Sequence, residues 1–156
     1  MPKTKEAEEQ LASFMAKYTP EIASHAKAIR AEMRKLYPTA LELVYDNYNA
    51  LAIGYGPTER TSEAVFSIAL FPRWVSLFFL QGAALPDPDK ILRGSGKAAK
   101  HVVLPSIATL KTQAVQALMR EAVARAKVAF DPCAEHRLII KSISEKQRPR
   151  RPAKSA

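Results

Sequence analysis

Apolar residues recur every three to four positions near the start of the chain, which predicts two amphipathic helices. The first, over residues 5–18, has an apolar stripe made of Leu11, Phe14, Met15 and Tyr18. The second should begin at Thr19 and Pro20, a capping hydroxyl followed by a residue whose missing N–H costs nothing at the first helical position. It should end before Pro38, because the residue before a proline avoids the α region. Its polar side is interpreted as a solvated basic face carrying Lys27, Arg30, Arg34 and Lys35.

From residue 42 onward the pattern changes to short apolar runs bounded by Gly, Pro, Asn and Ser, which is typical of β-strands. Five strands are predicted, over residues 43–48, 51–55, 64–71, 75–80 and 100–104. The connections between the first four are too short for crossover helices, so neighbouring strands should be antiparallel. A last long helix capped by Thr112 should be followed by a sixth strand over 137–144 at a sheet edge. The prediction is an α+β fold, with an antiparallel five- to six-stranded sheet packed against N-terminal and C-terminal helices.

Length and composition place the chain among ordinary globular proteins. With 156 residues, 47% of them hydrophobic and 25% charged, it suits one domain with a substantial core. It contains no apolar run long enough for a membrane span and no apolar segment typical of a secretory signal near Met1, so we expect no membrane association. A single cysteine, Cys133, excludes an internal disulfide and favours a cytoplasmic location.

The net charge of +9 is concentrated near the C-terminus. Residues 146–156 contain no acid and five cations, namely Lys146, Arg148, Arg150, Arg151 and Lys154. This composition, rich in Pro, Arg and Lys, predicts a single domain over 1–145 followed by a disordered basic tail over 146–156. An alternative function is therefore an interaction or nucleic-acid-associated protein acting through this tail, with nucleic acid a possible partner through the tail only, by nonspecific attraction of phosphate.

The segment 92–97 contains two glycines and a lysine, which invites comparison with a phosphate-binding loop. It is not a P-loop, because Ile91 stands where that motif needs its first glycine and because a strand follows instead of a helix. Two interpretations stay open. One is a tight glycine turn with a solvated lysine, and the other is a nest of backbone N–H groups that binds an anion. The candidate anion-binding residues are Arg93, Gly94, Ser95, Gly96, Lys97 and Lys100.

The first functional hypothesis is a binding domain for a small anionic molecule, held between the sheet and this loop. Ligand pockets combine apolar walls with a few polar groups, and the predicted wall consists of Tyr45, Asn47 and Tyr48. Lys97 and the loop amides would contact the anion.

Metal and catalytic chemistry have little support in the sequence. Asp87 and Asp89 lie between prolines, where carboxylates more often shape a turn than bind a metal. The three histidines, His25, His101 and His136, lie on separate predicted elements without ligand spacing. No Ser/His/Asp, Cys/His or paired-carboxylate arrangement can be assigned, so an enzyme is the least favoured class. The sequence predicts neither a cofactor nor an oligomeric state.

One order of motifs resembles a known family. It comprises Tyr37-Pro38, the strand over 42–48, Tyr55-Gly56-Pro57, the paired strands through Phe79 and the loop over 92–97 ahead of a strand and a helix. Over roughly residues 14–129 this order resembles the YdhG-like domain-of-unknown-function family. The resemblance implies a compact α+β domain with an antiparallel sheet on helices, and the family has no established catalytic residues to carry over.

Some members of that family are described as frataxin-like iron chaperones, so the resemblance implies iron carriage as a further alternative. Frataxin-like iron binding relies on an acidic surface. This chain departs from that pattern, because its predicted helices are basic and its aspartates are scattered, at Asp46, Asp87, Asp89 and Asp131.

Overall fold

The structure is a computed structural model that describes residues 2–153, with side chains from residue 5. Its helices are α1 (Pro2–Met15), α2 (Pro20–Leu36), α3 (Ile107–Leu110) and α4 (Gln113–Arg125). The two predicted caps are present. The Thr19 hydroxyl accepts a hydrogen bond from the amide of Ile22 at 3.3 Å, and the Thr112 hydroxyl accepts one from the amide of Val115 at 3.4 Å. Such caps satisfy N–H groups that have no partner within the helix.

The six strands form one sheet in the order β5-β4-β3-β2-β1-β6. They are β1 (Leu41–Asp46), β2 (Leu51–Gly56), β3 (Phe66–Leu70), β4 (Val75–Phe79), β5 (Lys100–Val103) and β6 (Leu138–Ile143). All neighbours are antiparallel except β1 and β6, which are parallel. The predicted α+β fold with terminal helices is confirmed, and the sheet is mixed because the chain returns after α4 to the end at which β1 starts.

The helices cover one face of the sheet, and alternate strand residues fill the core between them. In β3, Phe66, Ile68 and Leu70 are buried on this side. Tyr18, in the connection between α1 and α2, joins the two layers, because its hydroxyl donates to the carbonyl of Leu70 at 2.8 Å and accepts from the amide of Leu51 at 3.0 Å. Buried hydroxyls need such partners.

Two carboxylates lie on the same helix-facing side of β1. Glu42, Val44 and Asp46 alternate along the strand, and all three are fully buried. An unpaired buried charge is very unfavourable, so each carboxylate must have partners of opposite charge. These partners determine how the ends of the sheet are built.

Candidate functional site

Asp46 ends β1 at the edge of the core, and two cations hold its carboxylate. Arg150 Nη2 donates to Oδ1 at 2.9 Å, and Lys17 Nζ donates to Oδ2 at 2.7 Å. Burial raises the pKa of Asp46, but hydrogen bonds from Lys17, Gln147 and Arg150 outweigh this, so the pKa lies below its usual value. Arg150 is itself only 6% exposed, so its guanidinium is inserted into the body of the protein.

Arg150 belongs to the C-terminal segment, defined here as residues 147–153, which follows the end of the sheet. The amide of Arg148 donates to the carbonyl of Tyr48 at 2.8 Å, and the amide side chain of Gln147 donates to the carbonyl of Asp46 at 3.1 Å. The composition of residues 146–156 predicts a disordered tail. The structure differs, because the buried Asp46 supplies a binding partner for one arginine of this segment. Residues 154–156 lie outside the described residues.

A groove of about 670 Å³ lies between the C-terminal segment and the turn that joins β3 to β4. Its lining includes Arg73, Arg148 and Arg151 and the aromatic residues Phe71 and Trp74. No aspartate or glutamate is among the described residues that line it. The groove is therefore positively charged and partly aromatic, and it combines residues of the body with residues of the C-terminal segment.

Trp74 is the aromatic residue most accessible in this groove. Its ring stacks on Phe71 with centroids 5.0 Å apart and planes 22° apart, while 43% of Trp74 stays exposed. The contact holds a flat apolar surface in position at the groove. Stacking of this kind costs little further entropy when a planar ligand binds, because the ring is already ordered.

The arginines differ in how far they are already engaged. Arg151 Nε donates to the carbonyl of Lys17 at 3.2 Å. Within residues 5–153, the guanidinium groups of Arg73 and Arg148 have neither a hydrogen-bond partner nor an acidic partner, and both residues are exposed. Free guanidinium groups are fork-shaped donors suited to phosphate and carboxylate oxygens.

The loop over residues 93–97 lies elsewhere, ahead of β5, and is exposed along its length. Gly94 has φ of +110°, and the backbones of Arg93 and His101 pair on either side of the loop at 2.8 and 2.9 Å. Lys100 Nζ donates to the carbonyl of Gly94 at 2.6 Å, so this cation binds the loop itself. The pairing of Arg93 with His101 closes the loop, and anion binding by its residues stays a prediction.

The predicted wall residues do not lie next to this loop. Three strands separate β1 from β5, which corresponds to roughly 19 Å at the usual strand spacing. The Tyr45 hydroxyl is hydrogen-bonded to that of Thr61 on the face without helices. Asn47 and Tyr48 lie in the turn after β1, where their carbonyls accept hydrogen bonds from the C-terminal segment.

Glu42 forms the second buried charge cluster, at the other end of β1. Its carboxylate accepts hydrogen bonds from Arg30 at 2.8 and 2.9 Å, from the Tyr55 hydroxyl at 2.7 Å and from His136 Nε2 at 2.7 Å. Burial raises the pKa of Glu42, but His136, Arg30 and Tyr55 together lower it to about 2. Arg30 also binds Glu8, so it is not part of a solvated face as predicted. With every oxygen engaged, this cluster has a structural role.

The described residues offer no metal centre. Within residues 2–153, no three His, Cys, Asp or Glu side chains are placed to hold a metal ion together, so the iron alternative has no candidate ligand group there. Asp87 accepts hydrogen bonds from the amides of Ile91 and Leu92, both at 3.0 Å, and so shapes a turn. Among the helices that the structure describes, none has the length and apolarity needed to cross a membrane.

The fold and the groove together define an α+β domain with a basic and aromatic site at one end of its sheet. Comparison with protein-family models, with curated proteins and with solved structures finds no match to this chain. The YdhG-like resemblance stays a prediction, and the function is inferred from the geometry of the site.

Proposed function

We propose that this protein binds single-stranded nucleic acid in the groove between the C-terminal segment and the β3–β4 turn. The observation that carries the proposal is that Arg73, Arg148 and Arg151 line one groove with the exposed Trp74, without a carboxylate among its lining residues. Cations along a groove and an aromatic platform within it are the two elements by which proteins bind single strands.

Phosphate recognition is assigned to the arginines. The guanidinium groups of Arg73 and Arg148 have no partner among the described side chains, so no internal ion pair must break before a phosphate binds. Arginine presents two parallel N–H donors to a phosphate, which gives both energy and orientation. The net charge of +9 also favours the approach of a polyanion.

Base recognition is assigned to Trp74. Stacking of a base on an aromatic side chain contributes about 1–3 kcal/mol and tolerates any base, because every base has a flat face. In a duplex these faces are covered by neighbouring base pairs. The exposed indole therefore favours a single strand over a duplex.

The proposal modifies the alternative in which nucleic acid binds through the tail only. Arg73 and Trp74 belong to the body, so the C-terminal segment would supply half of the site. A small anionic ligand at residues 93–97, iron carriage, membership of the YdhG-like family and a cytoplasmic location stay as separate proposals. None of them has a feature of the structure in its favour comparable to the groove.

The test is titration of a fluorescently labelled twelve-nucleotide single strand, followed by anisotropy. Trp74→Ala should weaken binding by about 5- to 150-fold, the equivalent of one lost base stack. Arg148→Gln should reduce the dependence of log affinity on log salt concentration by about 0.7. Arg120→Gln removes an exposed cation on α4 outside the groove and is the matched control.

Point variants are preferable to deletion of the tail, because deletion also removes the Arg150–Asp46 ion pair. The protein contains one tryptophan, so quenching of its emission reports directly on Trp74. Wild-type affinity in both Trp74→Ala and Arg148→Gln would refute the proposal. Weaker binding in Lys97→Gln alone would show that the nucleic acid binds at the loop over residues 93–97 and not in the groove.

A further inference from the structure

A second cavity, of about 690 Å³, lies at the opposite end of the sheet from the groove. It is enclosed by the C-terminal end of α4 and by the two short 3₁₀ turns, Thr61–Glu63 and Gly82–Ala84. Its inner wall is apolar and buried, and consists of Val65, Phe79 and Leu85. This cavity shares no residue with the groove.

Small side chains create the space. Ala64, Ala84, Ala122 and Ala126 line the cavity from three separate parts of the chain. Protein interiors are normally filled to the density of organic crystals, and larger apolar side chains at these positions would fill this one. Alanines at these lining positions leave room for a ligand that brings its own apolar surface.

The rim carries a positive charge that is already positioned. Arg125 Nη1 donates to the carbonyl of Ala84 at 2.9 Å, which fixes the guanidinium between α4 and the second turn. Its Nε donates to Glu121, so this charge is partly neutralised. Lys127 also lines the cavity, and none of the described carboxylates lies within ion-pair distance of it.

The rim of the cavity also carries negative charge. The carboxylate of Glu63 accepts a hydrogen bond from the Thr58 hydroxyl at 2.6 Å and lies 4.0 Å from Arg60 Nη1. The C-terminal end of α4 adds about half a negative charge through the helix dipole. Arg60, Arg125 and Lys127 together exceed Glu63, Glu121 and the helix end by about half a charge, and within residues 5–153 no carboxylate pairs with Lys127.

From this geometry we infer that the cavity binds a small amphipathic molecule with an apolar body and an anionic head group. The apolar body would lie against Phe79 and the alanines, and the head would lie between Arg125 and Lys127. The volume falls within the range of about 300–1,000 Å³ typical of small-molecule sites. The inference is independent of nucleic-acid binding.

The experiment uses decanoate as the probe and decan-1-ol as the uncharged comparison, both titrated into the full chain by NMR. Ala126→Leu and Ala122→Phe should each weaken decanoate binding by about tenfold or more, because they fill space that the ligand needs. Ala31→Leu adds the same apolar group to an exposed position on α2 and should have no effect. Lys127→Gln should weaken decanoate binding up to about fivefold and leave decan-1-ol unchanged.

Melting curves identify the variants that fold. If Ala122→Phe does not fold, Ala126→Leu alone decides the result. Failure of both probes to bind, or unchanged decanoate affinity in a folded cavity-filling variant, would overturn the inference. Equal affinity for the two probes would overturn the assignment of an anionic head group to the ligand. Arg148→Gln lies outside the cavity and should bind decanoate like the wild type.

Discussion

Glu42 and Asp46 lie on the same face of the same strand, and both are fully buried, but their partners come from different parts of the molecule. Glu42 binds Arg30, Tyr55 and His136, which belong to the body of the domain. Asp46 binds Lys17 and Arg150, and Arg150 belongs to the C-terminal segment. β1 therefore carries two carboxylates of equal charge, one that binds the body of the domain and one that also binds the C-terminal segment.

The need to compensate a buried carboxylate stabilises the fold at the Glu42 end of β1 and builds the proposed site at the Asp46 end. A buried carboxylate needs cations and hydrogen bonds. At Glu42 this requirement joins α2 and His136, two positions before β6, to the sheet. At Asp46 it fastens the C-terminal segment, and the fastened segment forms one side of the groove. The comparison separates residues that stabilise the fold from those that position the proposed site.

The largest effect is expected from Glu42→Gln. The variant leaves Arg30 with Glu8 and leaves His136 without a carboxylate partner. We therefore expect a loss in free energy of unfolding near the lower end of the about 3–5 kcal/mol that is typical of a broken buried pair. Urea denaturation followed by circular dichroism measures it, with the exposed Glu9→Gln as the control. Affinity for the single strand should stay at the wild-type level wherever the variant is folded. A loss below about 1 kcal/mol would contradict the structural role of Glu42.

Low pH should lower the stability of the protein by protonating Glu42. The pKa of Glu42 is about 2 in the folded protein, against 4.5 in an unfolded chain. Its contribution is fully present above pH 4.5 and is lost as the pH falls from 4.5 through 2, at most roughly 3 kcal/mol in total. Glu8 and Asp46 also have lowered pKa values, so the difference between the wild type and Glu42→Gln isolates Glu42. Parallel stability profiles for the two proteins would exclude this contribution.

A smaller loss of stability and a larger loss of binding are expected from Arg150→Gln. The variant leaves Asp46 with Lys17, so we expect about 1–3 kcal/mol. Arg150 is not a lining residue of the groove, yet affinity for the single strand should fall, because the segment is released. Faster hydrogen exchange of the Arg148 amide, with Arg120→Gln as the reference, measures this release. A protected Arg148 amide would show that Arg150 does not fasten the segment.

The smallest effect is expected from Lys17→Gln. The Lys17 side chain is 41% exposed, against 5% for Arg150, so water screens its interaction with Asp46. Exposed ion pairs contribute at most about 1 kcal/mol. Denaturation of Lys17→Gln and Arg150→Gln under identical conditions ranks the two partners. The reverse order would mean that Lys17 is the main partner of Asp46.

Much of the fold could be predicted because its signals are local. The caps at Thr19 and Thr112 and the strand runs each depend on residues a few positions apart. The sixth strand was predicted at an edge, but its parallel direction depends on the path of the chain after α4, which no local pattern describes. The residues of the glycine loop were predicted next to Tyr45, whereas three strands lie between them.

The groove was harder to predict for the same reason. The alternation of Glu42, Val44 and Asp46 along one strand is readable, and it indicates that two acids face the core. Their partners, Arg30 and Arg150, are distant in the chain and look like ordinary surface cations. Composition alone predicts disorder for the C-terminal segment, because composition does not register one buried acid that binds a single arginine. Trp74 lies in the turn between β3 and β4, and no local pattern indicates that its ring lies beside the C-terminal segment.

The parallel pairing of β1 with β6 has a consequence for how the chain reaches its native state. Until residues 138–143 have been synthesised, β1 is the outer strand, and its unpaired backbone groups form an edge to which another chain can add. Contacts between such distant residues form late, and Arg150 follows β6. A chain emerging from the ribosome therefore presents an open edge, and an Asp46 that has Lys17 but not Arg150, until residues 138–150 have been made. Stalled or truncated products should be the species that aggregate.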